Sequence, residues 1–266
     1  MGMRVNTNIE AFNAQRNLAT TASNYAKSVE KLSSGLRINR AGDDAAGLSI
    51  SEKLRAQTKG LAQAQRNAQD GISLIQTGEG ALNETHSVLQ RMRELLVEAH
   101  NGTLSSDDKT AVNSELTQLG QEVDRIATQT KFNGTAVLNT ATPVTLQIGA
   151  NSGETLDVTL SKMDATTLGV NAVDSTTDIA TIDTAISTVS AQRGTFGALQ
   201  NRLEHTIANL GVAQENTMSA ESRIRDVDMA SEMVNFTKTG ILQQAGQAIL
   251  AQANQSGQGV LSLLRG

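Results

Sequence analysis

Apolar residues recur at helical spacing over the first hundred residues of this chain. In the first group, successive apolar residues are three or four positions apart; the group comprises Ala11, Ala14, Leu18, Ala22, Tyr25, Val29, Leu32 and Leu36. A second group repeats every seven residues and comprises Leu54, Leu61, Ala68, Ile75, Leu82, Leu89 and Leu96. Narrow stripes of this kind predict two long helices that pack against partner helices. We expect the first to end at Ser33-Ser34-Gly35 and the second to begin after Asp43-Asp44, two acids suited to capping it.

The second helix is expected to end at Asn101-Gly102, and its glycines Gly71, Gly78 and Gly80 lower helicity and allow a bend or break. Ser105 or Ser106 is expected to cap a third helix, which Asn133-Gly134 closes. The third-helix stripe is Val112, Leu116, Leu119, Val123 and Ile126.

The period then changes to two. Alternating apolar residues at Val144, Leu146 and Ile148, and again at Leu156, Val158 and Leu160, predict a β-hairpin. Residues 161–177 have no period and are interpreted as a surface connection. A long helix is expected from Asp178, with its stripe at Ile182, Val189, Phe196, Leu203 and Leu210, followed by a terminal helix with Val227, Val234, Ile241 and Ala248 at heptad spacing.

The predicted fold class is mainly α: long antiparallel helices forming coiled-coil and helical-bundle layers, with a small β-hairpin. An isolated amphipathic helix is marginally stable in water. The two terminal segments, residues 1–42 and 227–266, therefore either fold when neighbouring copies cover them or dock on the central bundle. The pattern leaves both alternatives open.

Composition favours slender bundles over a thick core. The 266 residues include four Phe, one Tyr, no Trp and one Pro, so large aromatic side chains and helix breakers are scarce. Charge is uneven: residues 43–232 hold 14 basic and 25 acidic groups, whereas residues 233–266 hold two basic and no acidic ones. Depletion of charge is typical of interface cores.

The same numbers exclude several classes of function. A net charge of −5 provides no basic field for nucleic acid. No apolar run is long enough to span a membrane, and Met1–Gln15 lack the apolar core of a cleavable secretory signal. With no Cys, disulfides and thiolate chemistry are excluded.

An enzyme is the alternative from a different class. Its candidate residues are His86, His100 and His205, of which His86 and His205 lie on predicted bundle helices and could meet across the bundle. The chain has no His-Glu-x-x-His sequence and no complete dinucleotide fingerprint. We therefore predict no catalytic residues, cofactor or metal. A small coiled-coil adaptor also fits the periodicity.

Several longer blocks of sequence resemble bacterial flagellin. They are residues 3–9, 13–18, 31–39, 41–48, 70–77, 130–134, 220–230, 250–255 and 260–265. They cover both ends and most of the interior. The resemblance implies a structural subunit that polymerises into the flagellar filament; a hook–filament junction protein of the same architecture is the alternative.

The resemblance also implies an organisation in layers. Residues 1–42 and 227–266 correspond to the inner layer, D0, and residues 43–177 and 178–226 to the surrounding layer, D1. The further outer domains of many flagellins are expected to be absent. Residues at the polymerisation contacts are expected to be Leu18, Tyr25, Val29, Leu32, Leu36, Val227, Val234, Ile241, Leu261 and Leu264.

Partners follow from the family as well. They are other copies of the chain, the flagellar export apparatus, a chaperone on the C-terminal segment, and filament cap and junction proteins. The expected location is the extracellular filament. Residues 90–97 also resemble the segment read by the animal flagellin-sensing Toll-like receptor, with Arg91, Leu95 and Glu115 at receptor-contacting positions.

Overall fold

The described part of the chain forms five helices and four short strands. The computed structural model describes the backbone of residues 8–265 and the side chains of residues 8–255. The helices are α1 (Ile9–Ser34), α2 (Ala45–Ala99), α3 (Ser106–Gln129), α4 (Ile179–Arg225) and α5 (Met229–Arg265), and the strands are β1 (Lys131–Phe132), β2 (Thr135–Ala136), β3 (Val144–Gln147) and β4 (Thr155–Val158). The predicted mainly α class is confirmed.

These elements form two units. One contains the described residues up to Arg55 together with those from Thr217 onward, and the other contains Ala56–Asn216. The first unit includes α1 and α5, and the second includes α3 and all four strands.

Local sequence signals set the end of α1 and the starts of α2 and α3 as expected. Gly35 follows α1 with a left-handed backbone, φ 72°, and donates its N–H to the Lys31 carbonyl at 2.8 Å. The Asp44 carboxylate accepts the Gly47 N–H at 2.8 Å. Ser105 caps α3 and forms a reciprocal capping box with Asp108.

The second unit is organised around the heptad stripes of α2 and α4. The predicted residues Ile75, Leu82, Leu89 and Leu96 of α2, and Ile182, Val189, Phe196 and Leu203 of α4, are all fully buried. The two helices run antiparallel, because Gly71 faces Leu203 whereas Arg93, farther along α2, pairs with Asp183. The predicted stripes are confirmed as the core of this unit.

Close packing explains why a glycine, Gly78, lies inside the long helix α2. A Cβ at this position would lie 2.8 Å from Phe196 Cε2 and 2.9 Å from Val137 Cγ1. The missing side chain therefore lets α4 and the segment after β2 pack closely against α2. Helix α2 continues without interruption through Gly78, so no break occurs where the glycines allowed one.

The predicted β-hairpin is present, with β3 and β4 antiparallel and Leu146 opposite Leu156. The predicted end of the third helix at Asn133-Gly134 is wrong. Helix α3 ends at Gln129, and Asn133 and Gly134 instead connect β1 to β2 with φ angles of 48° and 83°. Two positive φ angles in a two-residue loop are typical of a tight hairpin turn.

The interpretation of residues 161–177 as a surface connection is also wrong. Buried apolar side chains occur along this segment at Met163, Ala165, Leu168, Val170 and Val173. Side chains of α3 hold its backbone, since Asp124 accepts the Ala165 N–H at 2.7 Å and Asn113 accepts the Ser175 N–H at 2.6 Å. The segment forms no regular helix or strand, so its inward-facing residues have no period.

Candidate subunit-contact site

The two terminal helices α1 and α5 pack against each other in antiparallel orientation. The Asn8 side chain donates to the Ala253 carbonyl at 2.7 Å, and the rings of Tyr25 and Phe236 stack with their centroids 4.9 Å apart. Residues later in α1 therefore contact residues earlier in α5. Helices α1 and α5 thus lie side by side within one unit.

Glycines on α5 make room for large side chains on α1. A Cβ at Gly240 would lie 3.4 Å from the Tyr25 ring, and one at Gly246 would lie 3.1 Å from Leu18 Cδ1. Small residues opposite large ones allow two helices to approach closely. The inner face of the pair is thus specified by complementary size.

A buried polar pair lies within the same contact. The Ser28 hydroxyl donates to Glu232 Oε1 at 2.6 Å, and Lys31 Nζ lies 3.9 Å from Glu232 Oε2. Both Ser28 and Glu232 are buried. A buried carboxylate is tolerated only when such partners satisfy it.

The break between α1 and α2 is joined to the break between α4 and α5. The Arg37 N–H donates to the Arg225 carbonyl at 2.7 Å, and the Val227 N–H donates to the Gly35 carbonyl at 3.0 Å. The Arg37 guanidinium adds two hydrogen bonds to the Ile224 carbonyl, at 2.6 and 3.1 Å. These bonds satisfy carbonyls that the end of α4 leaves free.

Charged groups strengthen this junction. Arg225 pairs with Glu52 at 2.6 Å and Arg55 pairs with Glu221 at 3.1 Å, which ties the start of α2 to the end of α4. In the loop before α2, hydrogen bonds from the backbone N–H groups of Arg40 and Asn39 lower the pKa of Asp43 below its ordinary value.

The predicted polymerisation contacts divide into two sets. On α1, Leu18, Tyr25 and Leu32 are half-buried, as is Leu36 just beyond it, while Val29 is exposed. On α5, Val234 is 67% exposed and Ile241 is 61% exposed, whereas Val227 in the loop before it is half-buried. The side chains of Leu261 and Leu264 lie outside the described residues. Leu18 and Tyr25 thus pack within the chain, and Val234 and Ile241 face outward.

We call the outward-facing surface the outer face of α5; its exposed apolar residues are Met229, Met233, Val234, Ile241, Leu242 and Ile249. They occur along α5 from its first residue, Met229, to Ile249. A shallow groove of about 540 Å³ lies along it, lined in part by Val234, Ile241 and Leu242. An apolar surface of this extent, next to a helix pair that already buries its inner face, is typical of an association site.

The three residues matched to receptor contacts lie in the second unit and differ in exposure. Arg91 and Glu115 are exposed and form a two-point pair, with Arg91 Nη2 and Nε at 2.9 and 3.0 Å from Glu115 Oε1. This hydrogen bond with Glu115 raises the pKa of Arg91 above its ordinary value. Leu95 is 2% exposed and belongs to the core beneath them.

The histidines do not form a common site. His86 Nε2 lies 3.1 Å from the Gln90 amide nitrogen, and His100 Nδ1 lies 2.8 Å from the Leu96 carbonyl. Because Gly78 faces Phe196 and Arg93 pairs with Asp183, position 86 is level with the stretch of α4 between those residues, two turns or more from His205. Among the described residues, no group of three or more His, Cys, Asp or Glu could hold a metal ion.

Sequence reasoning missed the residues that fasten the terminal pair, namely Ser28, Glu232 and Arg37. The available signal for Glu232 is that it is the last acidic residue of the chain and precedes an otherwise acid-free segment. Its role depends on which residue of α1 it faces, and no periodicity within one helix reveals that.

The fold and this surface define a helical structural protein whose paired termini carry an apolar face for association. Residues 5–142 match the family described as the bacterial flagellin N-terminal helical region, and residues 179–264 match the bacterial flagellin C-terminal helical region. The chain belongs to the bacterial flagellin family, whose members are the structural subunits of the flagellar filament.

Full-length relatives agree with this assignment. A flagellin of Halalkalibacterium halodurans is 56% identical over 99% of this chain and 100% of that protein. A flagellin of Bacillus subtilis is 49% identical, and flagellin FlaB2 of Treponema pallidum is 48% identical, each over 99% of this chain and 100% of the relative.

Family membership carries three general consequences. Flagellin is a structural protein family, its subunits polymerise into filaments, and the filament is extracellular. Within the part of the chain that the structure describes, no helix is both long and apolar enough to cross a membrane.

Proposed function

We propose that copies of this chain polymerise through the outer face of α5. The observation that carries the proposal is the exposure of Val234 and Ile241 on a helix whose opposite side already packs on α1. Burial of apolar side chains provides about 25 cal/mol per Å² of surface removed from water. The occupant is a second copy, because the chain belongs to a filament-forming family.

Charge supports the same surface. Residues 233–266 carry two basic and no acidic groups, so neighbouring copies meet there without burying unpaired carboxylates. A contact between different faces of successive copies produces an open helical polymer when the rotation between copies does not close into a ring.

The proposal assigns the layers of the subunit. Residues 1–42 and 227–266 form the inner layer, D0, and residues 43–177 and 178–226 form D1 around it. The pairing of α1 with α5 supports the first assignment, and the buried stripes of α2 and α4 support the second.

Seeded elongation tests the polymerisation surface. The double variant Val234→Lys/Ile241→Lys places two charges on the outer face of α5, and we expect elongation onto filament seeds to fall about tenfold or more. Val212→Lys is the control, since Val212 is an exposed valine on α4 rather than on α5. Sedimentation and negative-stain microscopy measure the polymer, and circular dichroism checks the helices. Normal elongation by the double variant would contradict the proposal.

The same face is proposed to meet the export chaperone before the chain leaves through the flagellar export channel, and filament cap and junction proteins afterwards. An exposed apolar helix face promotes aggregation in the cell unless a partner protein binds it. If chaperone and subunit share this face, adding the purified chaperone of the same bacterium should stop seeded elongation at a one-to-one ratio. Elongation that continues in excess chaperone would show separate surfaces.

We also propose that the pair formed by Arg91 and Glu115 contacts the animal flagellin-sensing Toll-like receptor. Their exposure and fixed two-point geometry support this role, with Leu95 packed beneath them. Monomer carrying Arg91→Ala should activate receptor-bearing cells less than the wild type. Arg125→Ala is the control, because Arg125 is also exposed and paired with a glutamate. Equal activation by all three proteins would overturn the assignment.

A further inference from the structure

Two of the three exposed methionines among the described residues lie on the outer face of α5. The chain has seven Met and no Cys, so thioethers are its only sulfur groups. Met229 and Met233 are each 49% exposed, one helical turn apart, and Met233 also lines the groove. Met92 and Met163 are buried in the second unit.

We propose that Met229 and Met233 form an oxidation site that controls assembly. The substrate class is a hydroperoxide. A sulfur lone pair attacks the terminal peroxide oxygen, the O–O bond breaks, and a sulfur–oxygen bond forms. With hydrogen peroxide, sulfur loses two electrons to give the sulfoxide, and the peroxide is reduced to water.

The consequence follows from where these side chains lie. A sulfoxide converts a flexible apolar side chain into a polar one. On the outer face of α5 the change replaces apolar surface that a neighbouring copy would bury, and an unpaired polar group in an interface opposes association. Free subunits are the reactive form, because assembly covers the face. This inference rests on the polymerisation surface proposed above.

The position of Met233 in the groove explains why its oxidation would affect assembly. Met233 lies beside Val234 and Ile241, so a polar oxygen there interrupts the groove. Met218 is 52% exposed but lies on α4 rather than on this face. Oxidation of Met218 should therefore leave assembly unchanged. Met218 is an internal control because it is exposed but lies outside the outer face of α5.

The test treats the full-length monomer with a graded dose of hydrogen peroxide and then adds filament seeds. Peptide mass spectrometry measures the sulfoxide at each Met, and sedimentation measures elongation. The variants are Met229→Leu/Met233→Leu and Met218→Leu, since leucine conserves volume and cannot be oxidised. Each protein is compared with its own untreated sample, so an effect of the leucine substitutions on assembly is measured separately from the effect of peroxide.

We expect Met218, Met229 and Met233 to oxidise before Met92 and Met163. Oxidised wild type and oxidised Met218→Leu should elongate about tenfold less than their untreated samples, and the double leucine variant should elongate equally before and after treatment. A methionine sulfoxide reductase pair should restore the wild type.

Two results would overturn the inference: oxidised wild type that elongates normally, or a double leucine variant that peroxide impairs as much as the wild type. A failure of the proposed polymerisation surface gives a different result. In that case the double variant Val234→Lys/Ile241→Lys would elongate normally in the absence of peroxide.

Discussion

The Ser28 hydroxyl on α1 donates a hydrogen bond to the Glu232 carboxylate on α5 across 2.6 Å. Both residues are buried between two helices that also meet through rings, glycines and aliphatic side chains. A buried polar pair in a mainly apolar helix contact opposes sliding of one helix along the other, because a shift separates the carboxylate from the hydroxyl that donates to it. Ser28 and Glu232 thus set the register of the terminal pair.

Removal of the hydroxyl should weaken this pair. We expect Ser28→Ala to lower the free energy of opening α1 from α5 by about 1–3 kcal/mol, the usual cost of leaving a buried polar group unsatisfied. Amide hydrogen exchange over residues 9–34 measures that opening locally. Ser33→Ala, an exposed hydroxyl on the same helix, is the control and should change little. Unchanged exchange in Ser28→Ala would show that the hydrogen bond sets no register.

Two glycines two residues apart on α2 should respond oppositely to alanine. Gly78→Ala brings a methyl group against Phe196 and Val137 and is expected to destabilise the second unit by about 1–3 kcal/mol. Gly80→Ala meets nothing within 4 Å and should stabilise it by about 1 kcal/mol through helix propensity. Urea unfolding midpoints measure both. Stabilisation by Gly78→Ala would show that the close approach is not required.

Acid should weaken the start of α3. Hydrogen bonds from the Ser105 hydroxyl and backbone N–H lower the pKa of Asp108, so its contribution is fully present above the unfolded value of about 3.9 and is lost as pH falls through the lower folded value. Wild type should therefore exceed Asp108→Asn in thermal midpoint at pH 7, and the difference should shrink below about pH 4. Asp107→Asn, beside the capping box, is the control. A difference that stays constant down to pH 2.5 would refute the assignment.

The segment after β4 should contribute to stability as a core element. Val170 is fully buried, and Val170→Ala removes two methyl groups, which we expect to cost about 2 kcal/mol. Asn171→Ala, at the exposed neighbouring position, should leave the urea midpoint unchanged. Equal midpoints for the two variants would restore the interpretation of this segment as a surface connection.

Periodicity predicted the regular core because a buried helix must repeat its apolar side chains. The stripe from Ile75 to Leu96 and the stripe from Ile182 to Leu203 are buried as the pattern requires. Caps were predictable for a similar local reason: Gly35 and Ser105 act on backbone groups within a few residues of themselves.

Irregular structure escaped the same reasoning. Leu168, Val170 and Val173 are buried without any repeat, since the segment consists of turns and irregular backbone rather than a regular helix or strand. The hairpin at Asn133-Gly134 has strands of two residues, too short for an alternating pattern. The Asn-Gly pair was its only signal, and it also suits a helix end.

The sequence predicted part of the association surface, and the tertiary structure was needed for the rest. Matching blocks at both ends placed the chain among flagellins and directed attention to the terminal helices. The pattern along α5 did not show that Val234 and Ile241 face away from α1, because a helix with apolar residues on more than one side has several candidate inner faces.

By itself the sequence determined the helical class, the helix ends at Gly35 and Ser105, the stripes of α2 and α4, and the family, since each depends on residues near one another in the chain or on recognisable blocks of it. Only the tertiary structure decided which face of α5 is covered, that Glu232 meets Ser28, and that Arg37 fastens one helix break to the other. These contacts join residues about two hundred positions apart, and their partners are chosen by size and charge across the fold rather than by spacing along the chain.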